Sequence, residues 1–149
     1  MKLVIAADHG GYKLKHKVSK YLSKKGYNIV DIGTTNINSV DYPDYAFKLG
    51  EMIRDKKADI GITICTTGIG MSMSCNKVKG IRCALVANKK DAKLAREHND
   101  ANVISIRGTL SYLTAIDIIE EFLKTKFLKK ERYQRRINKI NTYGDNDGC

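Results

Sequence analysis

The apolar run from Ala58 to Cys65 is followed at once by Thr66-Thr67-Gly68-Ile69-Gly70, and then by Met71, Cys75 and Val78 at helical spacing. A short apolar run, a small-residue turn and an amphipathic segment read as strand, tight turn and helix, which is half of a βαβ unit. Parallel strands need such crossovers, and the sheet they form has to be covered on both faces. The rest of the chain repeats the alternation. Leu3 to Ala7, Tyr27 to Ile32, Ile81 to Val86 and Val103 to Ile106 read as further strands. Leu14, Val18, Tyr21 and Leu22 mark a helix that Gly26 closes, and Pro43 stands where the next begins, with Tyr45, Leu49, Met52 and Ile53 as its buried stripe. A short helix over Asp91 to Glu97 ends in His98-Asn99-Asp100; a longer one runs from Tyr112 to Phe127, and a basic one spans about 131–141. The expected fold is α/β: a three-layer, Rossmann-like arrangement of a five-stranded parallel sheet with helices on both faces. Residues 1–143 read as one domain and 144–149 as a short polar tail.

The turn after Cys65 carries the chemistry. Glycines at 68 and 70 allow positive φ and turn backbone N–H groups outward, so the turn can cradle an anion in front of a helix. A dinucleotide fingerprint would want Gly or Ala where Met73 stands, and a cysteine phosphatase would want Arg where Met71 stands. What remains is a thiol beside an oxyanion cradle, acting as base or nucleophile on a small anion, or else a buried strand-end cysteine.

Composition sets the limits. The 149 residues suffice for one core without disulfides or metal. Four cysteines, at 65, 75, 83 and 149, form no C-x-x-C pair and have no histidine at ligand spacing, so they read as reduced thiols. No apolar run approaches the ~20 residues of a membrane span. Met1-Lys2 leads straight into a strand instead of a signal peptide, so a soluble, cytoplasmic protein is expected. The net charge is +11, and Lys124 to Lys139 hold eight basic residues against the single acid Glu131. A basic pole of this kind fits nucleic acid, anionic metabolites or a solvated face. Arg132, Arg135, Arg136 and Lys139 share one face of the last helix, and Tyr133, Ile137 and Ile140 share another.

In a parallel sheet ligands gather at the carboxyl ends of the strands. Asp8 and His9 follow the first strand, Cys65 to Gly70 follow the third, and His98-Asn99 close the helix before the fifth. An acid, two imidazoles and a thiol around a cradle suit proton transfer on a phosphorylated or carboxylated substrate, with loop and cap roles as the plain alternative.

Ala7-Asp8-His9-Gly10-Gly11, Val40-Asp41-Tyr42-Pro43, Ile64 to Ser72, Asn76-Lys77, Gly80-Ile81-Arg82 and Arg96 to Val103 together resemble ribose-5-phosphate isomerase type B, in order and over about residues 1–140. The family includes galactose-6-phosphate isomerase subunits, of which one kind lacks the cysteine and the other the histidine matched by His98. The resemblance implies an aldose-ketose isomerase of the pentose phosphate pathway, with neither metal nor cofactor. Cys65 would move the proton between C2 and C1 through a cis-enediolate held by the N–H groups of Thr66, Thr67, Gly68, Ile69 and Gly70. His98 would open the ring, Asp8 would hold sugar hydroxyls with Asn99 and Tyr42 nearby, and His9, Arg132 and Arg136 would hold phosphate. It also implies a homodimer or homotetramer in which a neighbouring subunit completes each site, with a phosphorylated sugar and not nucleic acid as the partner. Thr66 stands where the family usually has Gly, and Thr109 where some members have a phosphate-binding Arg, with Arg107 two residues earlier.

Overall fold

The computed structural model describes residues 1–144. Its elements follow the chain as β1 (Lys2–Ala7), α1 (Tyr12–Lys24), β2 (Asn28–Asp31), α2 (Tyr42–Arg54), β3 (Ile60–Cys65), α3 (Ile69–Cys75), β4 (Cys83–Leu85), α4 (Lys89–Asn99), β5 (Val103–Arg107), α5 (Tyr112–Lys124) and α6 (Glu131–Thr142). The five strands form one sheet in the order β2-β1-β3-β5-β4, and every pairing is parallel.

Side chains alternate across β1 and divide the interior in two. Leu3, Ile5 and Ala7 join Val18, Leu22, Ala95, Ile119 and Phe122 under α1, α4 and α5. Val4 and Ala6 join Ala46, Leu49, Met71 and Cys75 under α2 and α3. β1 and β3 are buried on both faces along almost their whole length, which is why they read as nearly continuous apolar runs. The chain leaves β1 toward the α1 face but leaves β3 toward the α3 face, so the loops part between the carboxyl ends of these neighbours and open a crevice there.

The expected elements are all present, with three shifts at their ends. α4 begins at Lys89 because the Asn88 side chain caps it, accepting from the Asp91 N–H, and it runs through His98 and Asn99 to Asp100 in the left-handed region. No apolar residue precedes Ala92, so periodicity missed that first turn. α5 stops at Lys124 instead of Phe127, where Thr125 turns extended and its Oγ1 bonds back to the Glu121 carbonyl at 2.6 Å. β4 is an edge strand of three residues that pairs with β5. Ile140, expected to dock with Tyr133 and Ile137, is instead 54% exposed, while those two are buried. Cys149 and the rest of the tail after Gly144 lie outside the described residues.

Candidate active site

Cys65 is the last residue of β3 and is buried. Its Sγ accepts a hydrogen bond from the Gly68 N–H at 3.0 Å. Gly68 takes φ +78, and a side chain there would strike Leu85 and the Ile106 carbonyl group. Ser105 Oγ donates to the Gly68 carbonyl at 2.7 Å and Thr67 Oγ1 accepts from the Ile69 N–H at 3.2 Å. The cradle is therefore held from behind and along its length. Ser105 escaped the sequence analysis, though a polar residue inside Val-Ile-Ser-Ile was a usable signal.

Asp8, His9 and Tyr42 come to the same crevice. Asp8 is buried, and its Oδ1 accepts from the Gly11 N–H at 3.0 Å. His9 Nδ1 accepts from the Val40 N–H at 3.3 Å, which leaves Nε2 as the ring's donor. The Tyr42 ring lies on Gly70, where an added Cβ would sit 2.6 Å from its Cζ. A Cβ at Gly10 would come within 2.0 Å of Thr66 Oγ1, so the threonine fills the space over that glycine and joins the β1 loop to the β3 loop. Arg107 pairs with Cys65 in register. Exposed at the sheet edge, it borders a cavity of about 270 Å³ with Thr67, Ile69, Leu85 and Asp91.

His98, Asn99, Arg132 and Arg136 lie elsewhere. A helix that precedes a parallel strand ends at that strand's amino edge, and α4 delivers His98 and Asn99 there, just before Val103. Cys65 is level with Arg107 at the other end of β5, whose five residues span ~13 Å. The His98 ring stacks on Tyr133 of α6, with centroids 4.4 Å apart. Arg132 donates to the Tyr133 hydroxyl at 2.9 Å, while Arg136 is exposed one turn further on. Arg82 organises this edge, donating from Nε to the Asn99 carbonyl at 2.9 Å and from Nη2 to the Asp100 carbonyl at 2.8 Å. Burial pulls the Arg82 guanidinium below its ordinary value, Asp100 opposing that fall and Arg96 adding to it. The strand-end rule thus assembles Cys65, Thr66, Thr67, Gly68, Ile69, Gly70, Asp8, His9 and Tyr42, but it does not bring His98 to them within one chain. That is a correction to the single cluster expected from sequence, and its cause is the direction of α4.

Among the described residues no group of histidine, cysteine and carboxylate side chains is arranged to hold a metal ion. No helix there is long and apolar enough to cross a membrane.

Solved structures of similar proteins share this fold. The ribose-5-phosphate isomerase B of Clostridium thermocellum is similar at 42% identity and a TM-score of 0.92, over 95% of each chain. The ribose 5-phosphate isomerase of Thermotoga maritima has 45% identity and a TM-score of 0.92, over 94% of this chain and 97% of that one. Ribose-5-phosphate isomerase B of Mycoplasma genitalium, solved with bound ribulose-5-phosphate, has 40% identity and a TM-score of 0.91 over 97% of each chain. The sequence pattern of the ribose/galactose isomerases matches residues 3–140, and the chain belongs to that family.

Proposed function

We propose that this chain is a cofactor-independent aldose-ketose isomerase that interconverts ribose 5-phosphate and ribulose 5-phosphate, the pentose phosphate step of a cytoplasmic enzyme. The observation that carries the reading is the buried Cys65 thiol at the sheet's crevice, with a backbone N–H aimed at its sulfur and Asp8 following the neighbouring strand end. In the open-chain sugar the Cys65 thiolate takes the proton from C2, and the electron pair moves to form the cis-enediolate. The cradle N–H groups of Thr66, Thr67 and Gly70 stabilise the enediolate oxygens, those of Gly68 and Ile69 being bonded to Cys65 Sγ and Thr67 Oγ1, a contribution of ~3 kcal/mol per donor in comparable sites. The hydroxyl proton passes from O2 to O1, and the thiol returns its proton to C1, which leaves a C1 alcohol and a C2 ketone, so no redox partner is consumed. Asp8 holds sugar hydroxyls, and Nε2 of His9 donates to the phosphate.

Ring opening and the rest of the phosphate contacts come from His98, Asn99, Arg132 and Arg136 of a second copy. Two features support that reading: the separation of these residues from Cys65 along β5, and the apolar rim beside the cradle, where Tyr42, Ile69 and Met73 are 39%, 49% and 67% exposed. A two-fold arrangement would complete both sites at once. Thr66 over Gly10 favours a five-carbon substrate over a six-carbon one, since its side chain fills space that glycine would leave open. The deciding assay measures ketose formation from ribose 5-phosphate, allose 6-phosphate and galactose 6-phosphate side by side. Highest kcat/KM on ribose 5-phosphate is expected; preference for a hexose phosphate would move the assignment within the family, and turnover of none would reject it.

A further inference from the structure

Lys15 lies on the inner face of α1 with its side chain only 4% exposed, an uncommon place for an ammonium group. Its Nζ meets both carboxylate oxygens of Asp31, at 2.7 and 2.6 Å, and Asp31 is the last residue of β2. The lysine stem passes against Gly33, where an added Cβ would come within 2.9 Å of Cδ and 2.5 Å of the Ala7 nitrogen. Desolvating the Lys15 ammonium offsets much of its attraction to Asp31, which stays a third exposed, and the consequence of the pair lies in the geometry it fixes.

That geometry leads to His9. Beyond Asp31 the chain keeps bonding along β1, from the Ile32 N–H to the Ile5 carbonyl and from the Thr34 N–H to the Ala7 carbonyl, both at 3.0 Å. Asp31 Oδ1 also accepts from the Gly33 N–H at 3.0 Å, and Thr34 is buried. The exposed segment 35–39 then returns so that the Val40 N–H reaches His9 Nδ1. On the other side α1 grows directly from Gly11, whose carbonyl accepts from the Lys15 N–H at 2.9 Å. The turn Asp8-His9-Gly10-Gly11 is thus bracketed by α1 and by the end of β2, and Lys15 and Asp31 pin these two elements together.

We propose that the Lys15–Asp31 ion pair positions His9: it holds the 32–40 segment so that the Val40 N–H stays on Nδ1, and the ring presents its Nε2–H to the substrate phosphate. The inference rests on the reading of His9 as a phosphate ligand. Lys15 touches no substrate in this scheme, so it is a positioning residue.

The test compares Lys15→Met, Asp31→Asn and His9→Ala. Asp31 is a third exposed, and asparagine keeps an acceptor for Gly33, so Asp31→Asn decides the matter even if Lys15→Met does not fold. For each folded variant, KM and kcat on ribose 5-phosphate are measured, together with the ¹⁵N shifts of the His9 ring and hydrogen exchange of the Val40 amide. Expected are a KM about tenfold higher, the equivalent of one lost hydrogen bond of ~1.4 kcal/mol, with kcat nearly unchanged. The His9 ring should also move away from pure Nε2–H, and Val40 exchange should quicken. Wild-type KM, ring shifts and Val40 exchange in a folded Lys15 or Asp31 variant would overturn the inference. If His9→Ala leaves KM unchanged, it is the phosphate role of His9 that fails, and the ring shifts still judge whether Lys15 and Asp31 position the imidazole.

Discussion

Thr66 is the residue on which the proposed preference for a five-carbon sugar turns. Its Oγ1 lies where a Cβ at Gly10 would be, so under the proposed function the side chain takes up volume that a longer sugar needs. Thr66→Gly should raise kcat/KM on a six-carbon phosphosugar relative to ribose 5-phosphate by about tenfold, the usual worth of a small steric change in a pocket; an unchanged ratio would remove Thr66 from the account of specificity. Arg132 is held ready by the Tyr133 hydroxyl, whereas Arg136 makes no hydrogen bond or ion pair among the described residues. If both hold phosphate, replacing either by Ala should raise KM by an amount equivalent to ~1.5–3 kcal/mol, with the fold intact. Steady-state kinetics beside a thermal melt checks both parts.

The helix behind the cradle also carries a pH dependence. Cys75 ends α3, is fully buried and donates to the Ala46 carbonyl at 3.5 Å. Contact with the neighbouring Cys83 thiol, and then burial, push the Cys75 thiol well above its ordinary value. A raised thiol pKa means that the folded state keeps a proton which the unfolded chain gives up above about pH 8.5. The stability it contributes is therefore whole below that pH and falls by ~1.4 kcal/mol per unit above it. In urea unfolding, the stability gap between wild type and Cys75→Ala should narrow from pH 8.5 to pH 10; a constant gap would count against the shift. Element types and order were legible in the sequence because the strands are short, mostly apolar runs and α1, α2 and α5 repeat their apolar residues at helical spacing. The start of α4 was not, since a cap made by Asn88 and followed by two lysines leaves no apolar trace. Half of the site was legible for the same reason as the strands: Asp8, His9 and Cys65 are strand-end residues. The position of His98 and Asn99 was not, because residues that close a helix before a strand lie at that strand's amino edge, and letters alone do not show that the two ends are ~13 Å apart.

In the whole molecule, one chain holds two sets of groups at opposite edges of its sheet: the thiol, cradle and His9 at one, and His98, Asn99 and the arginines of α6 at the other. The proposed function requires that two copies join these sets into shared sites. Mixing two variants, Cys65→Ala and His98→Asn, each inactive or nearly so on ribose 5-phosphate, and allowing their subunits to exchange tests that claim. If Cys65 of one copy works with His98 of another, a mixed dimer carries one site with both residues intact and one with neither. An equal mixture in which half the dimers are mixed should then recover about a quarter of wild-type turnover. Turnover no greater than the average of the two variants alone, with exchange verified by mass, would contradict the claim and return both residues to the same chain.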